Sequence, residues 1–202
     1  PAAMPPPAVV ASGDAATPRI ALEPAPPAAV PADNVGSTSA VCDAAVRAGA
    51  SRVVLSSSAF AIGYSHAAAG PQAYAPRRLP VRECDAGLPH ESYGLSKLCS
   101  EEVLSAAART AHATSFVSLR FPNIIKAELW DTLPWAPPSH DEPMTLLLWA
   151  YAHEEDVVDA HVAAATRAAA ASPGTHEVYI TAAPDTRFAE PTLELMASSL
   201  RL

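Results

Sequence analysis

The alternation of apolar and polar positions divides the chain into recognisable segments. Asn34 is suited to cap a helix running to about Arg47, and Gly49 supplies its stop. The run Arg52-Val53-Val54-Leu55 then reads as a short buried strand over 52–57, of the kind found in parallel sheets. A helix is expected over 92–110 and a strand from Thr114 to Phe121. An Ala/Val-rich helix over 156–171, a strand over 176–181 and a last helix over 191–200 complete the series. Helix and strand in alternation predict an α/β fold built on a parallel sheet.

Proline interrupts this pattern in three places. Residues 1–32 hold nine Pro, a density that blocks helix and central strand alike, so an irregular segment is expected there. The structured domain is then expected over 33–202. Pro71, Pro76, Pro80 and Pro89 make 64–90 a long loop, and 130–143 is a second proline-rich loop. Trp130, Trp135 and Trp149 flank or occupy that second loop, where packing is the default role and a substrate-pocket wall the alternative.

Composition narrows the function classes. Half of the 202 residues are hydrophobic, enough for one domain with a sizeable core. A net charge of −8 argues against nucleic-acid binding, which needs a basic face. Cys42, Cys84 and Cys99 have neither metal nor disulfide spacing and are expected as reduced thiols in a cytoplasmic protein. The chain opens on no signal-type segment and holds no run of about 18 apolar residues. Neither secretion nor a membrane partner is therefore expected.

Candidate chemistry concentrates on Tyr93 and Lys97. Four residues apart on a helix they share one face, so the ammonium can lie beside the phenol. A free phenol, with a pKa near 10, shuttles protons poorly at neutral pH. Bringing it about three units lower takes about 4 kcal/mol, roughly what a cation about 4 Å away supplies at an effective dielectric of about 20. Tyr-x-x-x-Lys also arises in helices where the Tyr simply packs and the Lys solvates. Two features favour chemistry. The chain has eleven Arg but only two Lys, and Ser56-Ser57-Ser58 lies at the carboxyl end of the buried strand, where open α/β sheets place ligands.

The run from Arg52 through Ser58 to Gly63, followed by Tyr93-Gly94-Leu95-Ser96-Lys97, resembles the extended short-chain dehydrogenase/reductases, the NAD-dependent epimerase/dehydratase group. Asn34-Val35-Gly36-Ser37-Thr38, Leu119-Arg120-Phe121-Pro122-Asn123 and the segment His153 to His161 resemble further landmarks of that family, in the same order. The resemblance implies a Rossmann-like parallel sheet with flanking helices, and a small substrate-side region near the C-terminus. It implies that Ser58 hydrogen-bonds the reacting substrate oxygen and that Tyr93 is the acid/base and also contacts the cofactor. Lys97 would lower the tyrosine pKa and hold the nicotinamide ribose. Phe121 and Pro122 would lie near the nicotinamide, and Asn123 would contact substrate. NAD or NADP would be the cofactor, a small molecule the substrate, and a homodimer is possible.

The sequence departs from the family in one respect that bears on function. The family's Gly-rich turn cradles the cofactor pyrophosphate, but the eight Gly of this chain are never closer than seven residues apart. Ala8-Val9-Val10-Ala11 stands where a family strand would precede Asn34, and Lys126-Ala127 replaces the usual Gly-Pro. Two readings follow: an NAD(P)-dependent oxidoreductase or epimerase/dehydratase using Ser58, Tyr93 and Lys97, or a remnant or fragment that keeps this set without holding cofactor. Other motifs are weaker. Gly63-Tyr64-Ser65-His66-Ala67 lacks the last Gly of a hydrolase elbow. His153 and His161 bracket four acids, but eight residues apart on a helix they are expected to be solvated rather than metal ligands.

Overall fold

A computed structural model describes residues 29–63, 79–89, 91–131 and 150–194. The expected irregular segment, apart from its last residues, lies outside these ranges. So do the apolar run at 8–11, most of both proline-rich loops, and the end of the last helix.

Helix α1 spans Ala29–Arg47 and is followed by strand β1, Arg52–Ser58. The helix begins five residues before the expected cap at Asn34. Proline is tolerated in a first helical turn, so Pro31 does not prevent the earlier start. Asn34 instead points its amide at Ser96 Oγ, 2.8 Å away on the next helix. The stop falls where expected. Gly49 takes φ +73°, and the amides of Gly49 and Ala50 return to the carbonyls of Val46 and Ala45.

Helix α2, Ser92–Ala108, leads to β2, Ser115–Phe121, which is buried at every position. Beyond it come β3 (Asn123–Ile125), α3 (Ala127–Trp130), β4 (Tyr151–His153), α4 (Glu154–Thr166) and β5 (His176–Ile180). Strands β1, β2 and β5 form one parallel sheet in the order β1-β2-β5, with Ser58 opposite Phe121. Strands β3 and β4 pair in a separate parallel ladder, Asn123 opposite Tyr151. This ladder was not expected, because three-residue strands carry no readable alternation. It stands beside the main sheet of a Rossmann-like α/β fold.

Alternate residues of the sheet serve two cores. Phe116 packs with Cys42, Leu104 and Ala108 under α1 and α2. Val117, Leu119 and Phe121 pack on the opposite face with Ala164 and Ala171, joined by Val157 and Ala160 of α4. Arg52 anchors α4 by donating to the carbonyls of Ala164, Arg167 and Ala171, placing its charge at the negative end of the helix. Among the described residues, no helix is long and apolar enough to cross a membrane. Cys42, Cys84 and Cys99 form no disulfide among the described residues, and burial raises the pKa of Cys42.

Candidate active site

Strand β1 ends in a single 3-10 turn, Ala59–Ala61, and that turn joins it to the start of α2. Ser58 caps the turn, its Oγ accepting from the Phe60 amide at 3.2 Å. The hydroxyl proton of Ser58 is not used in that bond and meets no acceptor among the described residues. Ser58 itself is buried.

Glu91 caps α2, accepting from the amides of Tyr93 at 2.9 Å and Gly94 at 2.5 Å. Gly94 is where helix and turn meet. A Cβ built there would lie 2.4 Å from the Phe60 carbonyl oxygen. The glycine thus lets α2 sit directly on the turn, and the Tyr93 ring meets Phe60 edge-on at 5.5 Å. Tyr93 stays 37% exposed.

Lys97, one turn on, places Nζ 5.6 Å from the centre of the Tyr93 ring and donates to the Ser56 carbonyl at 2.9 Å. Burial pushes its amine below the ordinary lysine value. Ser58, Tyr93 and Lys97 thus converge on the carboxyl end of β1. Phe121 lies beside Ser58 in the ladder and is buried. Pro122 follows it, half-buried, and Asn123 opens β3, so these two stand at the carboxyl end of the neighbouring strand.

Two histidines depart from the expectation of solvated side chains. His153 caps α4, its Nδ1 accepting from the Glu155 amide, and its ring meets Trp130 edge-on at 4.3 Å. His161 is half-buried and stacked on Phe121, 5.3 Å between ring centres, with Nε2 2.7 Å from Ser56 Oγ. The His161 contact is not visible in local spacing, since Ser56 and His161 are 105 residues apart.

Beneath the site lies a charged pair that the sequence did not single out. Glu101 and Arg120 are 3% and 4% exposed, and Arg120 donates to both carboxylate oxygens at 2.9 and 2.7 Å. Ser57 donates to the same carboxylate at 2.5 Å. The available signals were an Arg inside a buried strand and a Glu one turn beyond Lys97. Toward the amino end of the sheet, half-buried His176 is held between Ser105 Oγ and Ser118 Oγ, 2.8 Å from each.

A separate cleft of about 570 Å³ opens beside β4, lined by Trp130, Tyr151, Asp185, Arg187 and Phe188 among others. The Tyr151 hydroxyl donates to Asp185 Oδ1 at 2.9 Å. Burial, reinforced by the Asp185 carboxylate, pushes the Tyr151 pKa up to about 12, which keeps the phenol protonated.

With this geometry in view, likeness to known proteins is informative. Residues 3–128 match the model of the NAD dependent epimerase/dehydratase family. The chain belongs to that family. A UDP-glucose 4-epimerase of Azospirillum brasilense is 29% identical over 157 residues, covering 65% of this chain and 42% of that enzyme. Among solved structures, a short-chain dehydrogenase/reductase superfamily protein from Agrobacterium tumefaciens with bound NAD aligns with TM-score 0.60 and 21% identity. It covers 87% of this chain, which spans 61% of that one. MoeE5 in complex with UDP-glucose and NAD aligns with TM-score 0.51 and 21% identity, covering 83% of this chain and 53% of its own. At such identities the two structures attest the fold. The chain spans about half the length of these relatives.

Proposed function

We propose that this chain carries the proton-transfer half of an NAD(P)-dependent epimerase/dehydratase or oxidoreductase acting at a hydroxyl-bearing carbon, with Ser58, Tyr93 and Lys97 as its working set. The observation that carries this reading is the joining of β1 to α2 through Gly94 and Phe60. It brings a buried serine whose proton meets no acceptor among the described residues, a partly exposed tyrosine and a half-buried ammonium to one strand end. Such a donor set suits the polar nicotinamide riboside end of a dinucleotide, which when bound supplies the hydride chemistry. Lys97 would hold the ribose and Phe121 and Pro122 would border the ring. Tyr93 would take or return the hydroxyl proton while Ser58 donates to the substrate oxygen, and Asn123 would contact substrate. Membership of the family, and the UDP-glucose and NAD of MoeE5, favour NAD and a sugar nucleotide. The cleft walled by Trp130 is then available for the substrate, as the second role for that residue requires.

Calorimetry with NAD(H) and NADP(H) tests this directly. Micromolar binding is expected, weakened about tenfold or more by Lys97→Ala, whose lost contacts are charged. Tyr93→Phe is expected to keep cofactor binding and abolish turnover of a UDP-hexose. A folded chain that binds neither cofactor at millimolar concentration would favour the alternative, a remnant or fragment that keeps the residues without holding cofactor.

A further inference from the structure

Lys97 is held by a peptide carbonyl of β1, so its position depends on what fixes that peptide. Ser56, which supplies the carbonyl, is also gripped through its side chain. Its Oγ lies 2.7 Å from His161 Nε2, while its carbonyl accepts from Lys97 Nζ at 2.9 Å. The other imidazole nitrogen defines the direction of this bond. His161 Nδ1 lies 2.7 Å from the Val157 carbonyl, which can only accept, so Nδ1 carries a proton. In the neutral ring Nε2 is therefore an acceptor, and the Ser56 hydroxyl donates to it. The ring itself is immobilised by stacking on Phe121, 21° from parallel.

We infer that His161 is a positioning residue for Lys97: it locks Ser56 through the hydroxyl, and the Ser56 carbonyl in turn sets the ammonium beside Tyr93. The linkage runs from α4 through the last turn-facing part of β1 to α2. It spans both faces of the sheet and joins α4 to the residues proposed for proton transfer. This role rests on the reading of Lys97 as the lysine of the working set. Among the described residues, the titratable groups facing Lys97 are Tyr93 on its own helix, His161 across Ser56, and Glu101, which is committed to Arg120 and Ser57.

The second lysine, Lys126, gives an internal reference for a test that needs no cofactor. The pH midpoint of amine labelling would be followed at Lys97 and Lys126 by mass spectrometry in the full chain. The variants are Ser56→Ala, His161→Ala, both together, and His161→Gln, whose amide oxygen can still accept from Ser56. Release of Lys97 into water restores its hydration, so its midpoint should rise by roughly half a pH unit or more. Lys126 should not move. Ser56→Ala and His161→Ala should give equal shifts, the double variant no more than either, and His161→Gln close to none. Should His161→Ala fail to fold, Ser56→Ala and His161→Gln decide the matter. An unmoved Lys97 midpoint, or additive shifts in the double variant, would overturn the linkage. NAD affinity measured on the same variants separates the two ideas. Labelling shifts without NAD binding sink only the cofactor reading, and NAD binding with unmoved labelling sinks only the linkage.

Discussion

The two faces of β1 use neighbouring serines for opposite ends. Ser57 turns toward α2 and joins Glu101 and Arg120 in a network that is almost wholly out of water. Ser56 turns toward α4 and meets a half-buried imidazole. The first arrangement is ionic, bidentate and saturated, so any loss leaves an uncompensated charge in a poorly solvating interior. The second is a single hydroxyl–imidazole bond at the carboxyl end of the strand, so its loss costs less in folding and is felt as misplacement of Lys97. A strand with period two can thus put structural and functional polar groups on adjacent residues without letting them compete.

The sharpest way to break this contrast is at Arg120. Arg120→Met should strand the Glu101 carboxylate and cost about 3–5 kcal/mol in urea unfolding, while Arg120→Met with Glu101→Leu should recover most of it. If the single variant were as stable as the parent, the ionic face would not carry the stability assigned to it. Gly94→Ala should come next, at about 1–3 kcal/mol, because its Cβ falls on the backbone oxygen of Phe60 rather than on a movable side chain. Its crystal structure should show α2 displaced from the turn, with the Tyr93 ring off Phe60.

The smallest effect concerns acid. Burial holds His176 below its ordinary value near 6.5, with Arg120 pushing the same way and Glu101 opposing. A base depressed in the folded state is protonated first in the unfolded chain, so stability is lost as pH falls below that ordinary value. Urea midpoints at pH 7.5 and 5.5 should differ accordingly, and His176→Gln should flatten the difference. An equal slope in that variant would assign the acid sensitivity to other groups.

Much of the main sheet and its helices was legible because the signals are local: the apolar run Val53-Val54-Leu55, a glycine stop after α1, and the Ala/Val pattern of α4, which runs from Glu154 to Thr166 where 156–171 was expected. The start of α1 was not, since proline density argued for irregular chain and Pro31 occupies one of the few helical positions that accept it. Tyr93 and Lys97 could be paired from spacing, whereas the specific roles given to Ser58, Phe121, Pro122 and Asn123 came from resemblance to a family. His161 and Ser56 were missed for a physical reason. Their contact is made by the docking of α4 across the sheet, and nothing within a dozen residues of either announces it.

The segment 79–89 has a further consequence for how the molecule comes apart. Its Glu83 carbonyl accepts from Arg120, the Glu83 carboxylate accepts from the Ile180 amide of β5, and the Leu88 amide donates to Ile62. Gly87 meanwhile stands so close to Ala61 that a Cβ there would lie 2.7 Å from its carbonyl oxygen. A stretch that looks like surface connection is therefore a strap, buckled at one end to strand β5 and at the other to the 3-10 turn that follows β1. Proteolytic nicking at exposed Arg82 would need the buckle undone first, so the rate of cutting there becomes a clock for opening of the sheet.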